Sequence, residues 1–389
     1  MMLNNRISSL MRSRPMTVSV SVLILATIGV FIQTEGASWD VTSHLLRRPE
    51  TFFTPSHTML YTGVGLSIIA AAISAHLLRK NDAEIRTKSF STALKLLIIG
   101  SAISLVAGPS DYLWHQVFGV DGLLSPTHLT LVTGMLINCI AVVLGLARII
   151  VHFPTARERR LRTLIKAAMI PAFAVMWVMM IWYVYMFALP LSNGQHFNFN
   201  LNPTHESIIS VIALPTIGSI VFITASRTIG RFGAASAVTA LLLGMNSFAN
   251  IVPSNQLMPF LPWYLMLIIP AILADLILNK SIITTRSKKT LKDETSVIIS
   301  GAIIGSIFYI LGYPMLPMTF AEPLSYTFHS MNDILINFVR TLPLVFVFTA
   351  VPGVAMGITG AIISVNKIKV SRTNIPSNTL SEVKNNELL

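Results

Sequence analysis

Asp40, His44 and His57 form the pattern D-x3-H-x12-H, and Asp111, His115 and His128 repeat it 71 residues later. One carboxylate and two imidazoles at fixed spacing are a donor set for a divalent metal, and such donors suit Cu(II), Zn(II) or Fe(II). Three protein ligands leave a coordination position open, as catalysis or ligand exchange requires. The last His of each set lies in a Pro-containing tetrapeptide that opens a long apolar run: Thr54-Pro55-Ser56-His57 and Ser125-Pro126-Thr127-His128. A third tetrapeptide, Asn202-Pro203-Thr204-His205, also opens an apolar run, but Ala188 and Ser192 stand at the offsets of the Asp and first His. Each part has an ordinary explanation. A lone D-x3-H near a helix end is commonly a solvated pair, and Ser or Thr before Pro is ordinary helix entry. The complete triad, twice at one spacing, is what chance explains poorly. A duplication with one inactive copy stays open at this point.

The elements that must hold these residues are helices. Asp40 and His44 are four apart, so on a helix they share a face. Thr54 suits an N-cap and Pro55 the first helical position, which puts His57 in the first turn of the next helix. The dozen residues between can return His57 to the Asp40/His44 face, so three ligands come from two helix ends. Outer-shell partners would be Trp39, Ser43, Thr54 and Ser56 in the first unit, and Trp114, Ser125 and Thr127 in the second.

Composition places these helices in a bilayer. Hydrophobic residues make up 53% of the 389 and charged residues 11%, and the mean hydropathy is +0.69. A soluble domain carries about 25% charged residues. Ten apolar runs are long enough to span, centred on 16–34, 57–79, 92–110, 128–150, 166–189, 206–226, 233–251, 260–279, 296–314 and 338–362. The expectation is an all-α, polytopic integral membrane bundle of about ten transmembrane helices, built from helix hairpins with an internal repeat. Residues 1–150 would hold the two ligand-bearing hairpins, 151–365 further transmembrane helices, and 366–389 a polar, disordered cytoplasmic tail. The first run looks like a signal peptide, but its counterpart before Asp111 must stay, so it is expected to be retained.

Every second loop is basic, so the positive-inside rule puts both termini in the cytoplasm and the triads at the outer face of the cell membrane. The net charge of +12 is then topological. The basic residues are scattered over separate segments, which speaks against nucleic acid as a partner. His76 and His152 fall at the cytoplasmic end, whereas His196, His205, Glu206, Glu322, His329 and Asp333 join the triads on the outer side. Cys139 is the single cysteine, so neither an internal disulfide nor a cysteine-based zinc cluster is available, and a small buried apolar role is expected. Asp275 is expected to reach toward the cytoplasmic surface near Lys280, and Pro171, Asn246, Asn250 and Pro270 are candidate helix breaks.

The segment Trp39-Asp40-x3-His44 through Phe53-Thr54-Pro55-Ser56-His57, followed by Leu60-Tyr61-x-Gly63, resembles the C subunit of particulate methane and ammonia monooxygenases. The second copy, with Trp114-His115-Gln116 and Ser125-Pro126-Thr127-His128, is similar to the same family. The likeness covers about 25 residues per copy within the first 150. It implies copper on Asp40, His44 and His57 and on Asp111, His115 and His128, and a copper-dependent, monooxygenase-like oxidoreductase working with other membrane subunits. This chain departs from the family in its length and its doubled motif. From the residues alone three classes stand open: a membrane copper protein or monooxygenase subunit, a transporter or metal-handling protein that captures metal at the outer cluster, and a haem protein. Haem leaves the Asp unexplained. A transporter should place polar groups at mid-membrane, where acids are nearly absent. The substrate, the metal (copper, zinc or iron) and the question of one site or two are not settled by sequence.

Overall fold

The computed structural model describes residues 15–45, 48, 51–80, 85, 91–119, 124–151, 159–188, 203–253, 258, 265, 267–285, 292–312, 351, 353–360 and 362. Among these the regular structure is helical, with no strand, as expected. In chain order the helices are α1 Pro15–Leu45, α2 Pro55–Arg79, α3 Ser91–Phe118, α4 Pro126–Val151, α5 Arg159–Ala188, α6 Pro203–Ile229, α7 Ala234–Ile251, α8 Ile268–Thr285 and α9 Lys292–Gly312. Three begin at the prolines of the repeated tetrapeptide, Pro55, Pro126 and Pro203. Proline suits that position because the first helical N–H has no intrahelical acceptor and the ring presets φ.

Helices α1 to α5 are each long and apolar enough to cross a membrane. The later helices contribute shorter apolar stretches, Thr216–Ile229, Ala234–Ala249, Ile268–Leu278 and Val297–Ile307. The chain is therefore a helical, membrane-type protein. Its tail from 366 on, His152, His196, Glu322, His329 and Asp333 lie outside the described residues, as do the side chains of His205 and Glu206.

The first four helices form a ring. α1 packs on α2, α3 on α4, α2 on α3 and α1 on α4, and α5 closes against α1 and α4. The 71-residue repeat sets the crossings. Gly29 and Gly63 face each other across the first hairpin, and Gly100 and Gly134 across the second. A Cβ on Gly100 would stand 2.7 Å from the Gly134 carbonyl, and one on Gly134 2.8 Å from the Gly100 carbonyl. Only glycine admits backbones this close, and tight packing of this kind drives helix association in lipid. Polar groups then bridge the two hairpins. The Ser101 hydroxyl lies 3.2 Å from the Ser67 carbonyl and 3.4 Å from Asn138 Oδ1. Ser67 and Asn138 themselves sit 71 residues apart.

Beyond the ring, Trp177 of α5 meets Phe222 of α6 edge to face, with centroids 5.1 Å apart and both side chains fully buried. Two of the candidate helix breaks do not break helices: Pro171 lies inside α5 and Asn246 inside α7, whereas Asn250 is the penultimate residue of α7 and Pro270 sits in the first turn of α8. A first-turn proline costs no hydrogen bond, and packing of α5 into the core outweighs the one that Pro171 removes. Asp275 also departs from expectation. It is 3% exposed and accepts hydrogen bonds from the backbone N–H of Ala235 (3.0 Å) and Ser236 (2.8 Å) and from the Ser236 hydroxyl (2.7 Å). It thus caps the first turn of α7 from α8, doing from a neighbouring helix what Gly233, with no side chain, cannot do at the N-cap. Cys139 is fully buried and unbonded to another cysteine, as expected.

Candidate metal centre

The helix α1 runs beyond its apolar stretch to Leu45, so Asp40 and His44 occupy its last two turns. His57 is the third residue of α2. The return of the chain brings its ring back to Asp40: His57 Nε2 is 3.0 Å from Asp40 Oδ1, and His44 Nε2 is 3.4 Å from Asp40 Oδ2. The second unit is built alike. His128 Nε2 is 3.3 Å from Asp111 Oδ1, and His115 Nε2 is 3.4 Å from Asp111 Oδ2. In each set, one ligand atom from every residue lies within 4.8 Å of the others, so either set could hold a metal ion. Bonds of about 2.0 Å to a tetrahedral ion place donors roughly 3.3 Å apart, close to the Asp–His separations of 3.0 to 3.4 Å.

Backbone hydrogen bonds fix which nitrogen of two rings faces a carboxylate. His57 Nδ1 is 2.8 Å from the Thr51 carbonyl, and His115 Nδ1 is 3.0 Å from the Gly119 carbonyl. A carbonyl only accepts, so each Nδ1 carries the proton and donates. The Nε2 of a neutral ring is then a bare lone pair, and in both cases it faces a carboxylate oxygen. Two acceptors hold that geometry only with a second proton or a cation between them. His115 Nε2 is buried and makes no hydrogen bond among the described residues. This is how a ligating imidazole is usually prepared, with the far nitrogen fixed by a carbonyl and the near one left for metal.

Each carboxylate has a hydroxyl partner from the adjoining helix. Ser56 donates to Asp40 Oδ1 at 2.9 Å, and Thr127 donates to Asp111 Oδ1 at 2.7 Å. These are two of the outer-shell residues expected from sequence. Thr54 and Ser125 stand behind them, the Thr54 hydroxyl 3.3 Å from that of Ser56 and the Ser125 hydroxyl 3.1 Å from that of Thr127. Ser43 bonds to the Trp39 carbonyl of its own helix, and the Thr54 hydroxyl bonds to the Thr51 carbonyl rather than capping α2. Ser125 does cap α4, accepting from His128 N at 3.1 Å. Trp39 packs edge-on against Phe248 of α7, and Trp114 lies against Phe118.

The two sets adjoin. The rings of His44 and His115 stack with centroids 5.7 Å apart, and His44 and His128 are 6.2 Å apart. Five of the six ligand-type residues, Asp40, His44, His57, Asp111 and His128, line one cavity of about 290 Å³. Separate, distant sites are thereby ruled out. His76, in the last turn of α2, is some nineteen residues along the helix from His57, or about 28 Å.

Several contributors were not read from the sequence. The Thr51 and Gly119 carbonyls act through backbone, which carries no residue-type signal. Tyr61 stacks on His57 at 5.8 Å. Met179, Trp182 and Met186 of α5 join the cavity from outside the repeat. Glu35, five residues before Asp40, is 4% exposed, and neither carboxylate oxygen has a hydrogen-bond partner among the described residues. It does not line the cavity. Comparisons with protein-family models, with curated proteins and with solved structures return no match to this chain.

Proposed function

We propose that the chain is an integral membrane metalloprotein that binds copper at Asp40, His44 and His57 and at Asp111, His115 and His128, as one paired centre. The observation that carries this reading is the orientation of His57 and His115, whose carbonyl-bound Nδ1 atoms leave Nε2 facing a carboxylate. All-nitrogen-and-oxygen donors in sets of three, with positions left open, suit a copper ion that exchanges ligands or reacts with oxygen. When bound, the metal would supply redox chemistry. The protein's own part is to fix the ligands through Ser56, Thr127, Thr51 and Gly119, and to present an apolar cavity at the ligand end. With the likeness of the Trp-Asp and Trp-His-Gln segments to the monooxygenase C subunit, the reading is an oxidoreductase of that type or one of its membrane subunits. Ten crossings with both termini in the cytoplasm would put the centre at the outer side of the cell membrane.

Metal analysis of detergent-extracted protein tests the centre. His57→Ala and His128→Ala should each lower bound copper, and His76→Ala should not. Equal metal content in all three would overturn the assignment, and zinc or iron in place of copper would overturn the copper assignment alone. Topology is tested separately. On a Cys139→Ser background, a cysteine placed at Ser125 should label from outside only.

A further inference from the structure

The cavity beneath the ligands is larger and more apolar than metal binding requires. It runs between α1 and α5, with the Asp and His groups at one end and residues such as Val64, Ile68, Leu131, Met135 and Trp182 along the rest. Its volume of about 290 Å³ is roughly twice that of a ~150 Å³ apolar cavity that binds benzene. Two glycines help to make that space. Gly65 of α2 and Gly108 of α3 line the cavity, and a Cβ added to either meets nothing within 4 Å. They differ from Gly29, Gly63, Gly100 and Gly134, which are small because a neighbouring helix touches them. Glycine inside a helix costs about 1 kcal/mol against alanine in water, so a glycine that packs against nothing calls for another explanation. The position of Gly108 in the first repeat is Ala37, which also lines the cavity. Small residues thus stand three places before each Asp.

We infer that this cavity binds one apolar molecule of about ten carbon atoms, with one end at the paired Asp/His groups, and that Gly65 and Gly108 set the length it accepts. The inference rests on the proposed metal centre for the meaning of the polar end, but the cavity itself is present without metal. Apart from Tyr61, Ser104 and Trp182, its walls offer the rest of the ligand hydrocarbon and methionine contact, so shape and length dominate what fits.

The test uses the full chain in lipid nanodiscs after chelation, with a ten-carbon alkyl diazirine as photolabel and mass spectrometry to map the adducts. Labelling should fall on cavity residues such as Met135 and Met179, and decane should compete better than hexane or hexadecane. Gly65→Phe and Gly108→Phe should cut cavity labelling at least tenfold, with labelling of the exposed Ile69 and Ile99 unchanged. The milder Gly65→Val and Gly108→Val should shift the preferred competitor to a shorter chain, which guards against a phenylalanine variant that fails to fold. Labelling confined to exposed residues, cavity labelling indifferent to all four variants, or a preference for hexadecane, as a lipid acyl chain would show, overturns the inference. Copper content of the wild type, measured in parallel, separates the two claims. Cavity labelling in a protein that takes up no copper supports the cavity and defeats only the metal reading, and copper uptake without cavity labelling defeats only the cavity.

Discussion

The two hairpins each carry the same three donor types but hold them differently. In the first, His57 donates to Thr51, stacks on Tyr61 and stands 3.0 Å from Asp40. In the second, His115 donates to Gly119, and Val132 stands where the repeat places Tyr61. Gly119 serves this role from a left-handed backbone, φ +77°, which a side chain would oppose. The carboxylates differ in shielding too, with Asp40 13% and Asp111 21% exposed. What both copies keep is the carboxylate with its hydroxyl donor, Ser56 or Thr127. Duplication has preserved the ligand geometry and let its supports diverge. The first group, more buried and more tightly framed, should therefore bind metal more strongly than the second.

The largest expected effect is loss of ligands. His57→Ala should remove the tighter of two metal equivalents, and His128→Ala the weaker, as read by copper titration. If either substitution removes both, the groups act as one inseparable cluster and the ranking fails. Next come the hydroxyls. Ser56→Ala and Thr127→Val should each weaken copper binding about ten- to a hundredfold at their own group. A loss at Ser56 that spread equally to both groups would remove the distinction between the hairpins.

A smaller effect, on stability rather than metal, is expected away from the centre. Asp275→Ala leaves two backbone N–H groups of α7 unpaired in a buried place, so thermal stability should fall by roughly 1–3 kcal/mol with copper stoichiometry kept. The smallest sharpens the hairpin comparison itself. Ser125→Ala removes a cap and should cost about 1 kcal/mol. Thr54→Ala removes none and should cost markedly less, because the Thr54 hydroxyl bonds to the Thr51 carbonyl and the Ser56 hydroxyl rather than to a backbone N–H of α2.

Much of this was legible in the sequence. The triads, the helix starts at Pro55, Pro126 and Pro203 and the hydroxyl partners Ser56 and Thr127 all follow from spacing, because helix geometry turns a separation of four into a shared face. The adjacency of the two sets was open in sequence, since it depends on how hairpins pack. Gly29, Gly63, Gly100 and Gly134 keep the 71-residue offset of the ligands, but they mark crossings within each hairpin rather than between the two. No such period announces the α5 wall of the cavity. Asp275 was misread because a lone acid near a lysine suggests the surface, whereas its partners are backbone N–H groups forty residues away in sequence. Pro171 and Asn246 were misread as breaks because residue type speaks only for local preference, and packing overrides it.

The central claim is that both groups bind copper side by side. It is tested most directly by electron paramagnetic resonance of protein loaded with Cu(II), wild type against His57→Ala. Rings 5.7 Å apart across the two groups place the ions close enough for strong magnetic coupling. The wild type should give a coupled, broadened or silent spectrum at two copper equivalents, and His57→Ala an isolated Cu(II) signal at one. An isolated, uncoupled signal in the wild type at full loading would contradict the paired centre.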